Sequence, residues 1–164
     1  MNEDKFWKLI DETRVEAGTD FSERVQTLKD KLSNLSAGDI EKFDSIYFEQ
    51  IVNAYRWPLW GAAYVINGGC SDDGFRYFCD WLISEGREMY DAALEDPEAL
   101  AELDDVEDFS FEEFGYAALE AYEEKTGKDI PENDQAYPDE PSGEQWDEGD
   151  LGRLYPNLAD KYGW

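Results

Sequence analysis

Residues 36–67, SAGDIEKFDSIYFEQIVNAYRWPLWGAAYVIN, decide the fold class. Ser36, with Asp39 three residues on, reads as a helix start, because its side-chain oxygen can accept a hydrogen bond from a free amide of the first turn. Ile40, Phe43, Ile46, Tyr47, Ile51 and Tyr55 then recur at the three- and four-residue spacing that lines one face of an α-helix. Trp57-Pro58 breaks the run, since the residue before proline avoids helical backbone while proline itself suits a first helical turn. From Pro58 to Asn67 the next helix is apolar on nearly every side, which marks it as central. Asn67-Gly68-Gly69 stops it in the manner of a left-handed cap. An amphipathic helix followed by an enclosed one predicts an all-α domain.

The same signals continue outward. Asn2 caps a helix to Glu16 with Phe6, Leu9, Ile10 and Thr13 on one side, ended by Gly18. Asp20 opens a second helix carrying Val25, Leu28, Leu32 and Leu35. Ser71 opens another, whose buried side is Phe75, Phe78, Cys79, Leu82 and Ile83, ended by Gly86. Met89, Ala93 and Leu94 predict a shorter helix to Asp96, and Pro97 a further turn or two through Leu103. Ser110-Phe111-Glu112-Glu113 reads as a capping box for a helix with Phe114, Ala117, Ala118, Ala121 and Tyr122 inward, closed by Gly127. Periodicity then disappears. Residues 128–149 hold three of the six prolines and few aliphatics, which predicts an irregular segment lying on the surface, anchored by Tyr137 and Trp146. Leu151, Leu154, Tyr155, Leu158 and Tyr162 predict one or two short closing helices. No period-2 run demands a strand. The expectation is one multi-helix, bundle-like domain over 1–164, with a helical core over 1–127 and the proline-rich segment and closing helices over 128–164.

Charge narrows the classes of partner. Against 14 Lys and Arg stand 41 Asp and Glu, a formal charge of −27. Residues 1–66 carry 8 bases and 12 acids, and residues 67–164 carry 6 bases and 29 acids. Between Glu88 and Glu124 there are 15 acids and no base. Such a field repels phosphate backbones and anionic membranes and attracts basic protein surfaces, so neither direct nucleic-acid binding nor membrane binding is expected. A charge this high would suit a disordered chain, but 15% aromatic residues supply the apolar surface for a core. The N-terminus lacks a basic region followed by an apolar run, and the best apolar stretch, Leu59 to Ile66, is far below the roughly 18 residues of a membrane span. A cytoplasmic protein with Cys70 and Cys79 as reduced thiols is the expectation.

The absence of histidine removes Ser-His-Asp triads, Cys-His pairs and His-containing zinc sites. Two cysteines cannot complete a thiolate zinc site, and no phosphate-binding loop or dinucleotide fingerprint is present, so no catalytic residue, metal or cofactor is expected. The most distinctive stretch is Asn67-Gly68-Gly69-Cys70-Ser71-Asp72-Asp73-Gly74. One reading makes it an anion-holding glycine turn that lowers the pKa of Cys70 at a helix N-terminus. The other makes it a helix–turn–helix corner that needs glycine for positive φ. Asp72 and Asp73 favour the second, since they already occupy the helix's first turn and repel both an anion and a thiolate. A ligand site here would comprise Asn67, Cys70, Ser71, Asp72 and Asp73 with Arg56 and Arg76, the nearby bases in a chain short of them. Adjacent acids, such as Asp72-Asp73, Asp104-Asp105 and Glu112-Glu113, could bind a divalent cation, but with 41 acids pairs are expected and none matches a calcium loop. Tyr55, Trp57, Trp60 and Tyr64 read either as a stacking platform or, at this density, as core.

These residues carry a resemblance. Phe6-Trp7-Lys8-Leu9-Ile10, the run from Ala54 through Tyr64, the run from Ile66 through Phe75, and Tyr122-Glu123 resemble a bacterial family catalogued as domain of unknown function 4240. The resemblance covers most of the chain and implies a compact domain. It carries over no activity, cofactor or catalytic residue, and it directs attention to the central corner. The function expected is a non-enzymatic acidic module that engages a protein with a basic surface through Glu112, Glu113, Glu120 and Glu123, in concrete form an inhibitor or immunity-type protein. The alternative is an enzyme or small-ligand-binding domain centred on the Asn67–Gly74 corner.

Overall fold

In the computed structural model, which describes residues 1–104 and 106–164, four of the side chains that the sequence marks as caps make capping bonds. Asn2 accepts from the Lys5 amide at 2.9 Å and opens α1 (Glu3–Ala17). Asp20 accepts from Glu23 at 3.0 Å and opens α2 (Phe21–Ser33). Ser36 accepts from Asp39 at 3.1 Å and opens α3 (Ala37–Ala54). Pro58 stands in the first turn of α4 (Trp57–Asn67), which ends on Gly68 in the left-handed region at φ 67°. Ser71 accepts from Gly74 at 3.1 Å and opens α5 (Asp72–Ser84). Then come α6 (Arg87–Glu95), the 3-10 turns η1 (Pro97–Glu102) and η2 (Glu112–Tyr116), α7 (Ala117–Thr126), a third 3-10 turn η3 (Glu148–Asp150), α8 (Leu151–Leu154) and α9 (Pro156–Tyr162). No strand occurs among the described residues, so the domain is all-α. Of the pair Asp104-Asp105, the second residue lies outside the described residues.

One aromatic-rich core joins these elements. Phe6 and Trp7 of α1, Phe43 and Tyr47 of α3, Phe78 and Trp81 of α5, and Phe111 and Phe114 at η2 are all buried. α1 packs against α2, α3, α5 and α6, while α7 lies against both α2 and α3. Burying side chains of this size is the main force holding such a domain together, at about 1.5–3 kcal/mol for each one fully enclosed.

The opening of α7 departs from expectation. Ser110 does not cap it: its own amide donates to Asp108 at 3.0 Å, and the stretch Glu112–Tyr116 winds as a 3-10 turn before the α-helix begins at Ala117. Phe111 explains the difference. Its ring is buried and stacks on Phe21 at 4.1 Å, and its amide donates to the Tyr77 carbonyl of α5 at 3.1 Å. Backbone at Phe111 is held by tertiary partners in a conformation that leaves the serine no helix end to cap.

Residues 128–147 contain no helix and run back over α4. The Tyr55 carbonyl and the Trp57 amide pair with the backbone of Ser142, the Trp146 indole donates to the Trp57 carbonyl at 2.7 Å, and the Tyr155 hydroxyl donates to the Pro58 carbonyl at 2.6 Å. Gly61 allows this approach, since a Cβ there would stand 2.8 Å from the Tyr155 hydroxyl and 2.9 Å from the Trp146 nitrogen. Leu151 and Leu158 are fully buried, so the closing helices contribute side chains to the core.

Candidate functional site

The Asn67–Gly74 corner is held by its own turn chemistry. Gly68 at φ 67° and Gly69 at φ 120° adopt backbone that side chains disfavour, which explains both glycines. The Ser71 hydroxyl is committed to the Gly74 amide, and the Cys70 carbonyl accepts from the Trp60 indole at 2.9 Å. Burial, with the Asp72 carboxylate adding to it, pushes the Cys70 thiol up to about 11, the opposite of what a nucleophile needs. Asn67, Ser71, Asp72 and Asp73 are exposed. The two arginines lead elsewhere: Arg56 donates to the Asn53 carbonyl at 2.7 Å, and Arg76 turns toward Asp80. Cys79, the second thiol, is free and buried, and burial raises it well above the ordinary range.

The acidic residues of η2 and α7 are brought together on one ridge. Phe114, Ala117, Ala118, Ala121 and Tyr122 fill the inward side. At about 100° per residue this turns Leu119, Glu120 and Glu123 of α7 outward, and on the 3-10 turn before it Glu113 and Tyr116 are also exposed. Glu113, Glu120 and Glu123 are exposed, and Glu112 is half-buried, accepting from the Tyr116 hydroxyl at 2.9 Å. Lys29 of α2 pairs with Glu120 at 3.1 Å and Glu124 at 3.0 Å, while Glu113 and Glu123 make no ion pair among the described residues. Tyr116 and Leu119, 44% and 37% exposed, supply apolar surface between the carboxylates.

Beneath this ridge lies a group absent from the residues the sequence singles out. Asp80, 2% exposed, accepts a 2.6 Å bond from the buried Tyr47 hydroxyl. Arg76 sits one turn back, with its Nε 3.8 Å from the Asp80 carboxylate, shielded from solvent and without a hydrogen-bond partner among the described residues. Gly115 of η2 lies directly over the carboxylate, where a Cβ would come within 2.9 Å of Oδ1. Burial pushes Asp80 up to about 7, against the pull of the Tyr47 bond and Arg76. Asp44 of α3 is also raised by burial and lowered by Arg76, so one guanidinium serves two carboxylates. The signal that could have found Asp80 is its place between Cys79 and Trp81, an acid among core residues. Only the packing of η2 shows that this acid lies inside.

Two concavities lie apart from the corner. One of about 450 Å³ runs between α3 and residues 131–135, and one of about 440 Å³ lies between η1 and α9. Neither is lined by a residue of Asn67–Gly74. Among the described residues no three Cys, Asp or Glu side chains converge as metal ligands, and no helix is long and apolar enough to cross a membrane. The family model described as protein of unknown function (DUF4240) matches residues 1–124 of the 164, a span that includes the corner, Asp80 and most of the acidic ridge. No curated protein and no solved structure matches the chain.

Proposed function

We propose that this chain, which belongs to the DUF4240 family of proteins of unknown function, is a non-enzymatic binding module whose acidic ridge on η2 and α7 engages a protein with a basic surface. The observation that carries the proposal is the exposure of Glu113, Glu120 and Glu123, with Glu112 half-buried, on η2 and α7, where among the described residues Lys29 alone forms an ion pair with any of the four. Carboxylates left unpaired at a surface add little to stability, and in a chain of −27 they repel one another. Their collective field speeds encounter with a cationic partner. An inhibitor or immunity-type role, masking a basic effector surface, is the concrete form. The corner supports the enzymatic alternative poorly, because its serine is engaged in a cap, its thiol is raised and its arginines point to other partners.

The test compares the native protein with a variant carrying Glu112→Lys, Glu113→Lys, Glu120→Lys and Glu123→Lys as two baits in extract of the native host. A basic protein held by the first and not by the second is then purified, and its association is timed by stopped flow. The rate is expected to fall several-fold between about 20 mM and about 150 mM salt as the screening length shortens to roughly 8 Å. A partner that binds both baits alike, at a salt-independent rate, would make the ridge merely solubilising.

A further inference from the structure

We propose that residues 128–147 form a strap that opens as one unit over the aromatic row of α4 while the rest of the domain stays folded, and that the strap's own carboxylates set how often it opens. The inference does not depend on the acidic ridge.

The strap is long and thinly attached. Twenty residues without a helix separate α7 from η3, and irregular connections of that length in a compact domain are commonly lids or binding loops. Its ends are fixed: Gly127 closes α7 in the left-handed region at φ 71°, and Leu151 of α8 is fully buried. Between them no residue is fully buried, while Ile130 and Trp146 pack on the core part-buried. The attachments lie at a few points. Gln135 donates to the Ser45 hydroxyl at 3.2 Å, and Tyr137 leans on Tyr55 with ring centres 4.8 Å apart. The Ser142 backbone pairs with Tyr55 and Trp57, and the Trp146 indole donates to the Trp57 carbonyl. A segment with so few buried apolar contacts opens at a lower free energy than the core beneath it.

The strap lies over aromatic side chains. Trp57 stands edge-on to Trp146 at 5.7 Å and stacks on Trp60 at 5.4 Å, and Tyr64 meets Trp146 at 5.2 Å. These covered rings fall inside the span matched by the family model, residues 1–124, and the strap falls outside it. Closing the strap therefore shields a surface that belongs to the matched part of the chain.

Charge works against closure. The strap carries seven acids and one base, Lys128, and makes no ion pair among the described residues. The surface opposite is acidic as well. Glu132 and Asp134 line the concavity across from Glu41 and Asp44, and Lys42 is the one cation lining it. Burial raises the Tyr55 hydroxyl, and Asp72 and Glu140 add to the rise, so an acid of the strap and an acid of the body act on the same tyrosine. Like charges brought together in this way repel. Pro131, Pro138 and Pro141 oppose the repulsion, because they limit the conformational freedom gained on release.

Residue-resolved hydrogen exchange by NMR, at one pH and about 20 mM salt, reads the opening. The Trp57 amide donates to the Ser142 carbonyl at 2.8 Å and the Ser142 amide to the Tyr55 carbonyl at 3.0 Å, so both report the closed strap. The two are expected to share one protection factor, about 100-fold or more below that of the buried Ala62 and Ala63 amides of α4. Tyr137→Ser, at an exposed position, is expected to lower both several-fold and leave Ala62 and Ala63 unchanged. Trp146→Ala is expected to lower both about ten-fold, and if it also loosens Ala62 and Ala63, Tyr137→Ser decides alone. Neutralising the strap by Glu132→Gln, Asp134→Asn, Glu140→Gln and Glu144→Gln is expected to raise both several-fold. The proposal is overturned if Trp57 and Ser142 are as protected as Ala62 and Ala63, or if Tyr137→Ser moves one of the pair without the other. Unchanged protection in the neutralised variant overturns it equally.

Discussion

Two serine-led, acid-rich stretches, Ser71-Asp72-Asp73-Gly74 and Ser110-Phe111-Glu112-Glu113, read alike and fold differently. At the first, the serine caps α5, the two acids lie exposed in the first turn, and the glycines before it make the bend. At the second, the serine caps nothing, a 3-10 turn precedes the helix, and the start is held by a buried ring, a bond to the Tyr77 carbonyl and a glycine seated on Asp80. Side-chain capping governs where no stronger partner competes. A stacked, fully buried phenylalanine outweighs a cap, because a cap is worth about 1 kcal/mol and burial of the ring about 1.5–3 kcal/mol. The corner is therefore a local structure, and the ridge is a tertiary one.

That contrast has measurable consequences, the largest at Asp80. Its folded value of about 7 lies above the ordinary 3.8, so between those limits the folded chain holds a proton that the unfolded chain has released. The resulting stabilisation is fully present below about pH 4, is lost as pH rises toward 7, and is constant above. At 1.36 kcal/mol per pKa unit the swing is at most about 4 kcal/mol. Asp80→Asn retains an acceptor for Tyr47 and cannot titrate. Chemical denaturation of both proteins from pH 4 to 8 is expected to show the difference between them shifting in favour of the variant as pH rises. Parallel curves would mean that Asp80 titrates as it does in the unfolded chain, and the ridge would lose its buried foundation.

The next effect is steric. Gly115→Ala places a methyl 2.9 Å from the Asp80 oxygen, and either the carboxylate or η2 must move. A loss of about 1–3 kcal/mol is expected from equilibrium unfolding, in the range of overpacked sites. A change below about 0.5 kcal/mol would show that η2 is loosely held, contrary to the contrast with the corner.

The smallest effect separates the two serines directly. Ser71→Ala removes a working cap and is expected to cost about 1 kcal/mol, whereas Ser110→Ala is expected to fall within about 0.5 kcal/mol of wild type. Thermal melts of the pair decide it. Equal losses would mean that the second stretch caps after all in solution.

Much of the fold was legible because its signals are short-range. Asn2, Asp20, Ser36 and Ser71 each hold an amide three residues ahead, a contact that chain geometry brings within reach once a helix starts. Gly68 and Gly127 stop helices through their own φ values of 67° and 71°. The inward faces of α3 and α7 follow from periodicity, and so does that of α5 apart from Asp80, Trp81 and Ser84, which the surrounding packing also encloses. Of the site, the acidic residues were legible as a group, but Tyr116 and Leu119 were not, since only the position of the inward side shows which apolar residues remain outside.

The sequence by itself determined an all-α chain, most of its helix boundaries and the sign of its surface, all properties set by neighbours within about one helical turn or by simple summation of charge. Tertiary structure alone decided that Ser110 would not cap, that Tyr47 and Asp80 would meet across 33 residues of chain, and that Trp146 and Tyr155 would return to Gly61. Each of these is a contact between residues far apart in the chain. Such partners are selected by the shape of the whole core and by the cost of leaving a polar group buried and unpaired.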